Sequence, residues 1–395
     1  MTKRAGVLVL LVLLCSRVFC EEPILLVYQQ NFSMADLSEK AGILKSAASD
    51  KKVGEFIGPL YEYALQFVLQ FTVHNSWIQK NDPDMVRIIE TAVSGIEKIN
   101  YRENLDTLWQ LFLNYSDSST GIEIIVTIGK LGTENSRIIQ NINSYLTQQN
   151  KLYRMGVIVN YPLISACITA ILELGDSSSY PALFDVICSD FPEVIASEAS
   201  GAMELIPGNY RQFLVNVIEN NPPEEKLAAL REGVDSKRLS APECGQLAEL
   251  ALEQSFAPGG TGGNTDLSAL RYAAIAALIP LRWQASNLVV RHYHLVQDDF
   301  QSGAVPKERF LEAIACLGAS GNSDAALALV LRLGLINART EKTGSYDEDI
   351  TLAIIRALGL IGDKAAFSHL ISIRYLPYTA NIQAAAREAL DRLKW

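Results

Sequence analysis

The segment spanning residues 311–370 nearly repeats when it is shifted along itself by 41 residues. The matched pairs are Leu311 with Leu352, Ile314 with Ile355, Leu317 with Leu358, Gly318 with Gly359, Gly321 with Gly362, Ala325 with Ala366, and Leu329 with Leu370. Apolar residues recur every three or four positions in each copy, which is the period of one helix face. A repeat of this length, with each helix closed by a Leu-Gly pair, is typical of stacked helix pairs. It predicts an all-α chain, an α-solenoid of stacked antiparallel helix pairs with about eight or nine units.

Helical periodicity and end signals extend this prediction along most of the chain. Asp82-Pro83-Asp84 predicts a helix start, because it combines a capping side chain, proline at the first helical position and a nearby acid. Ser240 and Glu243 match a capping box. Helices are predicted over 34–46, 53–72, 103–113, 122–132, 136–146, 163–175, 180–188, 192–205, 210–218, 242–254, 267–281 and 382–393, with Ser33 as the first N-cap. Glycine is expected to end them in the left-handed conformation, as at Gly132 and Gly175. The β-branched stretches 24–28 and 156–160 remain open between strand, helix and extended linker.

Residues 1–20 have the organisation of a secretory signal peptide. Lys3 and Arg4 precede an apolar run of 11 residues, which is shorter than the roughly 20 residues that span a bilayer. We expect cleavage between Cys20 and Glu21, with acylation of Cys20 or retention as a membrane anchor as the alternatives. The predicted location is the periplasm or cell envelope, with secretion as an alternative.

Export would permit disulfides. Four cysteines follow the predicted cleavage point: Cys167, Cys188, Cys244 and Cys316. The favoured interpretation is buried free cysteines on apolar helix faces, with a Cys167–Cys188 disulfide as the alternative. No Cys-x-x-Cys spacing is present, so the pattern does not predict a metal site.

The charge balance is acidic. The net charge is −10, and removal of residues 1–20, which hold three basic and no acidic residues, would leave −13. Nucleic-acid binding needs clustered lysine and arginine, and the sequence contains no basic run. A protein partner is therefore favoured over nucleic acid, with a membrane reached only through a possible lipid at Cys20.

The sequence predicts five ranges along the chain. They are a signal peptide at 1–20, an N-terminal helical region with atypical repeats at 21–118, helix-pair repeats at 119–257, a flexible glycine-rich loop at 258–265, and C-terminal repeats with a capping helix at 266–395. The loop contains Pro-Gly-Gly-Thr-Gly-Gly-Asn but lacks the Lys-Ser/Thr of a phosphate loop, and no strand precedes it.

The segment from Leu352 through Leu-Gly-Leu-Ile-Gly-Asp to Leu370, followed by 384–393, resembles the HEAT-repeat family, in particular its short HEAT-like type. The resemblance covers 306–395 well and 119–220 less closely. It implies an α-solenoid and, for most members, a scaffold or adaptor function. The family often begins a unit with Asp-x-x-Val-Arg, whereas the matching positions here are Ile350-Thr351 and Ile382-Gln383. We therefore expect cohesion between units to depend mainly on apolar packing.

No catalytic motif is present, so the sequence predicts no enzyme, cofactor or metal. His292 and His294 would point about 200° apart on a helix, which disfavours a shared metal. An alternative class remains, a secreted helical-toroid hydrolase acting on a polysaccharide with two carboxylates. Its candidate residues are Glu198, Glu204, Asp298 and Asp299 as acids, and Trp77, Trp109 and Trp283 as sugar-stacking rings.

The densest group of side chains enriched at interface hot spots is Arg282, Trp283, Arg291, His292 and Tyr293. Packing of Trp283 and Tyr293 between helices is the competing interpretation. The sequence therefore predicts a non-catalytic exported scaffold or adaptor. It would bind a protein partner along the inner helix row, with these five residues as candidate contacts.

Overall fold

In a computed structural model, the structure describes residues 23–73, 80–256, 267–284 and 286–394. Within these ranges it contains twenty α-helices, and neighbouring helices pack against each other as antiparallel pairs. The predicted all-α solenoid is confirmed. The predicted signal peptide with Cys20 and Glu21, the glycine-rich loop at 258–265, and Trp77 lie outside the described residues.

The chain packs as two compact units, an N-terminal unit Met1–Gly208 and a C-terminal unit Asn209–Trp395. The N-terminal unit contains α1 Pro23–Met34, α2 Leu37–Ser49, α3 Gly58–Val73, α4 Pro83–Ile99, α5 Leu105–Tyr115, α6 Ser119–Leu131, α7 Ser136–Arg154, α8 Tyr161–Leu174, α9 Tyr180–Ile187 and α10 Glu193–Leu205. The C-terminal unit contains α11 Tyr210–Asn220, α12 Pro223–Asp235, α13 Ala241–Ser255, α14 Ser268–Leu281, α15 Leu288–Gln301, α16 Lys307–Ser320, α17 Ser323–Thr343, α18 Glu348–Ile361, α19 Phe367–Ser372 and α20 Ala380–Asp391. The boundary between the two units, after Gly208, falls inside the range 119–257 that was predicted as one block of helix-pair repeats.

In each unit the helices form two rows. Within a unit, every even-numbered helix contacts the next even-numbered helix, and the odd-numbered helices do the same. We call these the even row and the odd row. The apolar residues that face between the rows are buried, and they include the repeat positions Ile314, Ile355, Leu317 and Leu358. The 41-residue period found in the sequence is the number of residues from the start of α16 at Lys307 to the start of α18 at Glu348.

Close backbone contact between helices of the even row depends on glycine. A Cβ atom on Gly129 of α6 would lie 2.5 Å from the Cα atom of Ala170 in α8. A Cβ atom on Gly318 would lie 3.0 Å from the Cα of Ala357, and one on Gly359 would lie 3.0 Å from the Cα of Ala389. Gly318 and Gly359 lie inside α16 and α18, so the expectation that the repeated Leu-Gly pair closes a helix is wrong for these two units. Its glycine permits close helix packing instead.

The residues that end the repeat helices lie three positions later. Gly321 and Gly362 are the C-caps of α16 and α18, with φ of 66° and 71°. This is the left-handed conformation that glycine adopts without steric cost. Gly175 also ends its helix in the left-handed conformation, as predicted. Gly132 is the C-cap of α6, but its φ of −84° lies outside the left-handed region.

The helix starts that the sequence indicated are also present. The Asp82 side chain accepts a hydrogen bond from the Asp84 backbone N–H at 2.8 Å, with Pro83 at the first helical position. The predicted Ser240–Glu243 capping box is also present, and in it the Glu243 carboxylate accepts a hydrogen bond from the Ser240 backbone N–H at 2.9 Å.

The first described helix pair of each unit contains the same kind of contact, a lysine that donates to a carbonyl near the end of the preceding helix. The ammonium group of Lys40 in α2 donates to the carbonyl of Phe32 near the end of α1, and Lys226 in α12 donates to the carbonyl of Ile218 near the end of α11. Each lysine follows its acceptor by eight residues. A cation at a helix C-terminus satisfies the last carbonyls and interacts favourably with the helix dipole.

Polar contacts link neighbouring helices of the even row more than the sequence predicted. Lys307 at the start of α16 pairs with Asp347 at 3.0 Å and with Asp349 at 2.7 Å, both at the start of α18. The Thr379 hydroxyl, just before α20, donates to Glu348 at 3.1 Å. Thr351, which stands where the HEAT pattern has arginine, donates instead to the Asp347 carbonyl of its own helix at 2.6 Å. Apolar packing is thus supplemented by ion pairs at the helix starts.

The structure differs from the sequence prediction most at the N-terminal end. Residues 24–28 belong to α1, and Ser33 lies within that helix rather than capping a later one. The next helix, α2, begins at Leu37. The described part consequently holds ten helix pairs, where the sequence predicted eight or nine. Residues 156–160 connect α7 to α8 without forming a strand.

Cys167, Cys244 and Cys316 are buried free thiols, so the alternative Cys167–Cys188 disulfide does not form, and Cys188 is half-buried. Burial raises the pKa of Cys167 and of Cys316 to about 12, so these thiols stay protonated at neutral pH. No helix in the described ranges combines the length and apolar character needed to cross a membrane.

Candidate functional site

The structure separates the five residues predicted to contact a partner. Arg282 follows the last residue of α14 and is exposed, and Trp283 is half-buried beside it. Arg291 is exposed on α15, whereas the next two residues, His292 and Tyr293, are buried. The five residues therefore do not form one continuous surface.

Burial gives Trp283 and Tyr293 packing roles. The Trp283 ring lies against Gly245 of α13, where even one added methyl carbon would approach ring atom Cε3 to 2.3 Å. Its indole N–H donates to the Glu249 carboxylate at 2.9 Å. The Tyr293 ring stacks on Phe310 of α16 with centroids 5.7 Å apart. Tyr293 and His292 are both buried in this conformation.

Arg282 lies on a groove formed by α14, α16 and α18 of the even row. The groove has a volume of about 590 Å³ and lies entirely in the C-terminal unit. We call it the alanine groove, after its small side chains. Its lining residues are Ile279, Pro280, Arg282, Gln284, Ala315, Gly318, Ala319, Gly321, Ala353, Arg356, Ala357 and Leu360.

The lining of the alanine groove has three chemical parts. Ala315, Ala319 and Ala353 leave room for another backbone to approach these helices closely. The side chain of Leu360 is 59% exposed and offers an apolar contact that no described residue covers. Arg282 and Arg356 contribute positive charge, and among the described residues neither forms an ion pair. The groove is thus apolar with an unneutralised positive charge on two of its helices.

The backbone at Arg282 is unusual. It is the C-cap of α14 in the left-handed conformation, with φ of 48° and ψ of 47°. A non-glycine residue in this conformation costs of the order of 1 kcal/mol, and glycine or asparagine is the usual choice at a helix end. Strained residues cluster at functional sites, so an arginine in this conformation supports a role for its side chain.

The sequence signal for the alanine groove was present but incomplete. Ala315 with Ala319, and Ala353 with Ala357, have the i, i+4 spacing that places small residues on one helix face. Arg356 lies within the repeated segment 311–370, where nothing in the sequence distinguishes it as a binding residue. Its proximity to Arg282, 74 positions earlier, depends on the stacking of α14, α16 and α18 and has no signature in the sequence itself.

The acids proposed for a hydrolase are divided between the units. Glu198 and Glu204 lie on α10 of the N-terminal unit, and Asp298 and Asp299 lie on α15 of the C-terminal unit. The Trp109 ring packs on Phe112 and Tyr145, with centroids 5.1 Å and 6.3 Å away. Trp283 is likewise held by its contacts with α13.

Another pair of carboxyl groups lies on a groove that the sequence did not indicate. Glu90 of α4 and Glu123 of α6 line a groove of about 730 Å³ in the N-terminal unit. Burial, and then the negative charge of Glu90, raise the pKa of the Glu123 carboxyl. Glu97 on the same groove is already engaged, since it accepts hydrogen bonds from Lys130 at 2.6 Å and from Thr127 at 3.2 Å. The described residues contain no group of three or more histidine, cysteine or acidic side chains arranged to hold a metal ion.

Comparison with known proteins identifies no relative. A scan of protein-family models gives no match to this chain, and a search of curated proteins gives none either.

Proposed function

We propose that this protein is a non-catalytic scaffold or adaptor, and that its alanine groove binds an acidic segment of a partner protein. The observation that carries the proposal is the pairing of a small-residue groove with two arginines, Arg282 and Arg356, that have no carboxylate partner in the described chain. The rest of the protein is acidic, with a net charge of −10. A positively charged groove in such a protein is a specific local feature.

The shape of the groove favours a helical or extended peptide. Alanine and glycine on α16 and α18 allow a partner backbone to approach closely, as they do between helices of the even row itself. Apolar side chains of the partner would contact Leu360 and Pro280, and its carboxylates would pair with the arginines. Arginine suits this role, because its planar fork binds carboxylate through two parallel hydrogen bonds.

The proposed cellular setting is the periplasm or cell envelope. It is supported by the basic and apolar pattern of residues 1–20, with cleavage before Glu21 or lipidation at Cys20. The resemblance of 306–395 to HEAT-like repeats supports a scaffold, since most proteins of that family are scaffolds or adaptors. In this proposal the even row is the inner helix row predicted from the sequence.

A peptide selection tests the proposal. A random peptide library would be selected against the chain from residue 21 onward, and the enriched sequences compared with the starting library. We expect enrichment of aspartate and glutamate beside apolar residues. Affinity of a selected peptide, measured by fluorescence anisotropy, should fall about tenfold or more in the Arg282→Glu/Arg356→Glu double variant. Ala353→Trp, which fills the groove without changing charge, should also weaken binding.

The matched control is Arg231→Glu, an exposed arginine on α12 outside the alanine groove. Its affinity should stay within about twofold of the wild type, because a surface charge away from the contact has little effect. Enrichment without acidic residues, or equal affinities for the wild type and the double variant, would refute the groove as the binding site. Circular dichroism would verify that each variant is folded.

A polysaccharide hydrolase is the alternative function, and the Glu90–Glu123 pair is the observation that favours it. A carboxyl group with a raised pKa beside an ionised carboxylate is the arrangement that glycoside hydrolysis uses. Turnover of glycans that disappears in both Glu90→Gln and Glu123→Gln, but persists in Glu173→Gln, would establish this function. Absence of turnover in the wild type over a broad glycan panel would reject it.

A further inference from the structure

Three arginines of the C-terminal unit are stacked on two aromatic rings. The Arg291 guanidinium carbon lies 4.4 Å from the centroid of the Phe256 ring, and that of Arg271 lies 5.7 Å from the same centroid. Arg271 also lies 5.7 Å from the Tyr272 ring, which Arg309 approaches to 4.4 Å. We call Arg271, Arg291 and Arg309 the arginine cluster. A guanidinium group that packs on a ring still presents N–H donors to a ligand.

The positive charge of the arginine cluster is poorly compensated. Arg309 pairs with Glu312 at 2.8 Å, but Arg271 and Arg291 form no ion pair with any residue that the structure describes. The Nε–H of Arg271 is buried without a hydrogen-bond partner. About two positive charges therefore lack a counterion. Since like charges at close range repel, an anion bound here would offset an unfavourable interaction.

A buried histidine lies among these groups. His292 is 1% exposed, and neither of its ring nitrogens has a hydrogen-bond partner among the described residues. Its ring contacts the Tyr272 ring edge-on, and the two ring centroids are 5.7 Å apart. Buried polar atoms without partners are rare in folded proteins, and each one calls for an explanation. A ligand that accepts a hydrogen bond would supply the missing partner.

The electrostatic surroundings keep this histidine neutral. Burial, and then the charges of Arg271 on α14 and Arg309 on α16, lower the pKa of His292 to about 4. Arg291 is its neighbour on α15. A neutral imidazole still donates one N–H, so His292 adds a donor without adding repulsion.

We propose that the arginine cluster, together with His292, binds a phosphate-bearing ligand. A phosphate monoester carries about −1.5 to −2 charges at pH 7, which matches the two uncompensated arginines. Its terminal oxygens suit guanidinium forks, which bind phosphate through paired hydrogen bonds. A carboxylate would supply one charge and leave the second arginine uncompensated. The ligand is either a free phosphate compound or a phosphorylated side chain of a protein.

This site is separate from the alanine groove. Arg271 lies in the first turn of α14, and Arg282 follows its last residue. Eleven helical residues span about 16 Å at 1.5 Å per residue. The two proposals can therefore fail or succeed independently, because each uses its own residues and its own probe.

Isothermal titration calorimetry tests the phosphate site on the chain from residue 21 onward. The probes are inorganic phosphate, pyrophosphate, and a phosphoserine peptide with its unphosphorylated counterpart. We expect at least one phosphate-bearing probe to bind and the unphosphorylated peptide not to bind. Tighter binding of pyrophosphate would identify a free phosphate compound as the ligand, and tighter binding of the phosphopeptide would identify a modified protein.

Arg271→Gln and Arg291→Gln should each weaken that binding about tenfold or more, since each removes hydrogen bonds to a charged group. Arg291 is exposed, so its substitution tests the site even where Arg271→Gln affects folding. Arg231→Gln, with the same change of charge elsewhere, should bind as the wild type does. His292 titration followed by NMR should show a higher pKa with the ligand present. Failure of every phosphate-bearing probe to bind, or unchanged binding in Arg291→Gln, would overturn the proposal.

Discussion

At the scale of single residues, the function proposed for Arg282 opposes stability. Its left-handed backbone favours glycine, but its side chain contributes charge to the alanine groove. We predict that Arg282→Gly raises the free energy of unfolding by about 1 kcal/mol, since it removes the steric cost of a Cβ in this conformation. The same change should weaken binding of an acidic peptide. Chemical denaturation and fluorescence anisotropy measure the two effects, and a loss of stability would contradict the assignment of strain.

His292 should make stability depend on pH. Its pKa in the folded protein is about 4, below the ordinary value of 6.5, so the unfolded chain takes up the proton first as pH falls. The contribution of neutral His292 to the free energy of unfolding is therefore fully present above about pH 6.5. As pH falls toward 4, up to about 3 kcal/mol of this free energy is lost.

This prediction is checked by denaturation at several pH values. His292→Leu should lose less stability between pH 7 and pH 4.5 than the wild type does. His294→Leu is the control, because His294 is exposed on the same helix, and it should retain the pH dependence of the wild type. Identical pH profiles for the wild type and His292→Leu would show that His292 is not the titrating group.

Substitution by alanine should change the free energy of unfolding in opposite directions at Gly129 and at Gly201, which both lie inside helices. Gly129→Ala places a methyl group 2.5 Å from the Ala170 backbone and should lower the free energy of unfolding by about 1–3 kcal/mol. Gly201 is also inside a helix of the even row, but nothing lies within 4 Å of its added Cβ. Gly201→Ala should therefore raise stability by about 0.5–1 kcal/mol, through helix propensity alone. Urea denaturation that shows the same sign for both would contradict the role assigned to Gly129.

At the scale of elements, a buried hydrogen-bond relay connects α17 to α19 and to the turn before α20. The Asn337 amide donates to the His369 carbonyl at 3.0 Å, and its oxygen accepts from the Tyr378 hydroxyl at 2.8 Å. Tyr378→Phe would leave that buried oxygen without this donor, which costs about 1–3 kcal/mol. Tyr375→Phe is the matched control, since Tyr375 is 78% exposed, and it should change stability little. Equal denaturation midpoints for the two variants would count against the relay.

Helix periodicity and end signals made most elements predictable from the sequence. Asp82, Gly175 and Ser240 identify helix ends because capping is local chemistry. α1 was missed because its apolar residues follow no clear helical period, and its position depends on contacts such as the donation from Lys40 to Phe32. The role of Gly129 and Gly318 was also missed, since close packing between helices is a property of the stack.

The candidate site was less predictable than the fold for the same reason. Composition identified Arg282 and Arg291 as binding-prone residues, and both are exposed. It could not separate them from Tyr293, which the stacking of α15 on α16 buries. Nor could it bring together Arg356 with Arg282, or Arg309 with Arg271, because those proximities arise from the stacking of α14, α16 and α18.

At the scale of the whole molecule, the C-terminal unit carries the two proposed positively charged sites, although the protein as a whole is acidic. The alanine groove would take an acidic partner segment, and the arginine cluster would take phosphate. Both kinds of contact involve charge, so we expect partner capture to weaken as salt rises. The salt dependence is measured by capturing the partner from an envelope extract at low and at high salt. The bound protein is quantified by mass spectrometry in both cases. Retention that is independent of salt would favour an apolar contact elsewhere on the chain.

The central claim is that a partner protein occupies the alanine groove. Site-specific photo-crosslinking tests it most directly, with a photoreactive amino acid at position 353 in the groove and, as the control, at position 338, which is exposed on α17 of the odd row. In cells of the source, we predict a crosslinked partner from position 353 only, through a segment rich in aspartate and glutamate. The crosslink should be lost in the Arg282→Glu/Arg356→Glu variant. Equal crosslinking from both positions, or a crosslink that survives charge reversal, would contradict the account.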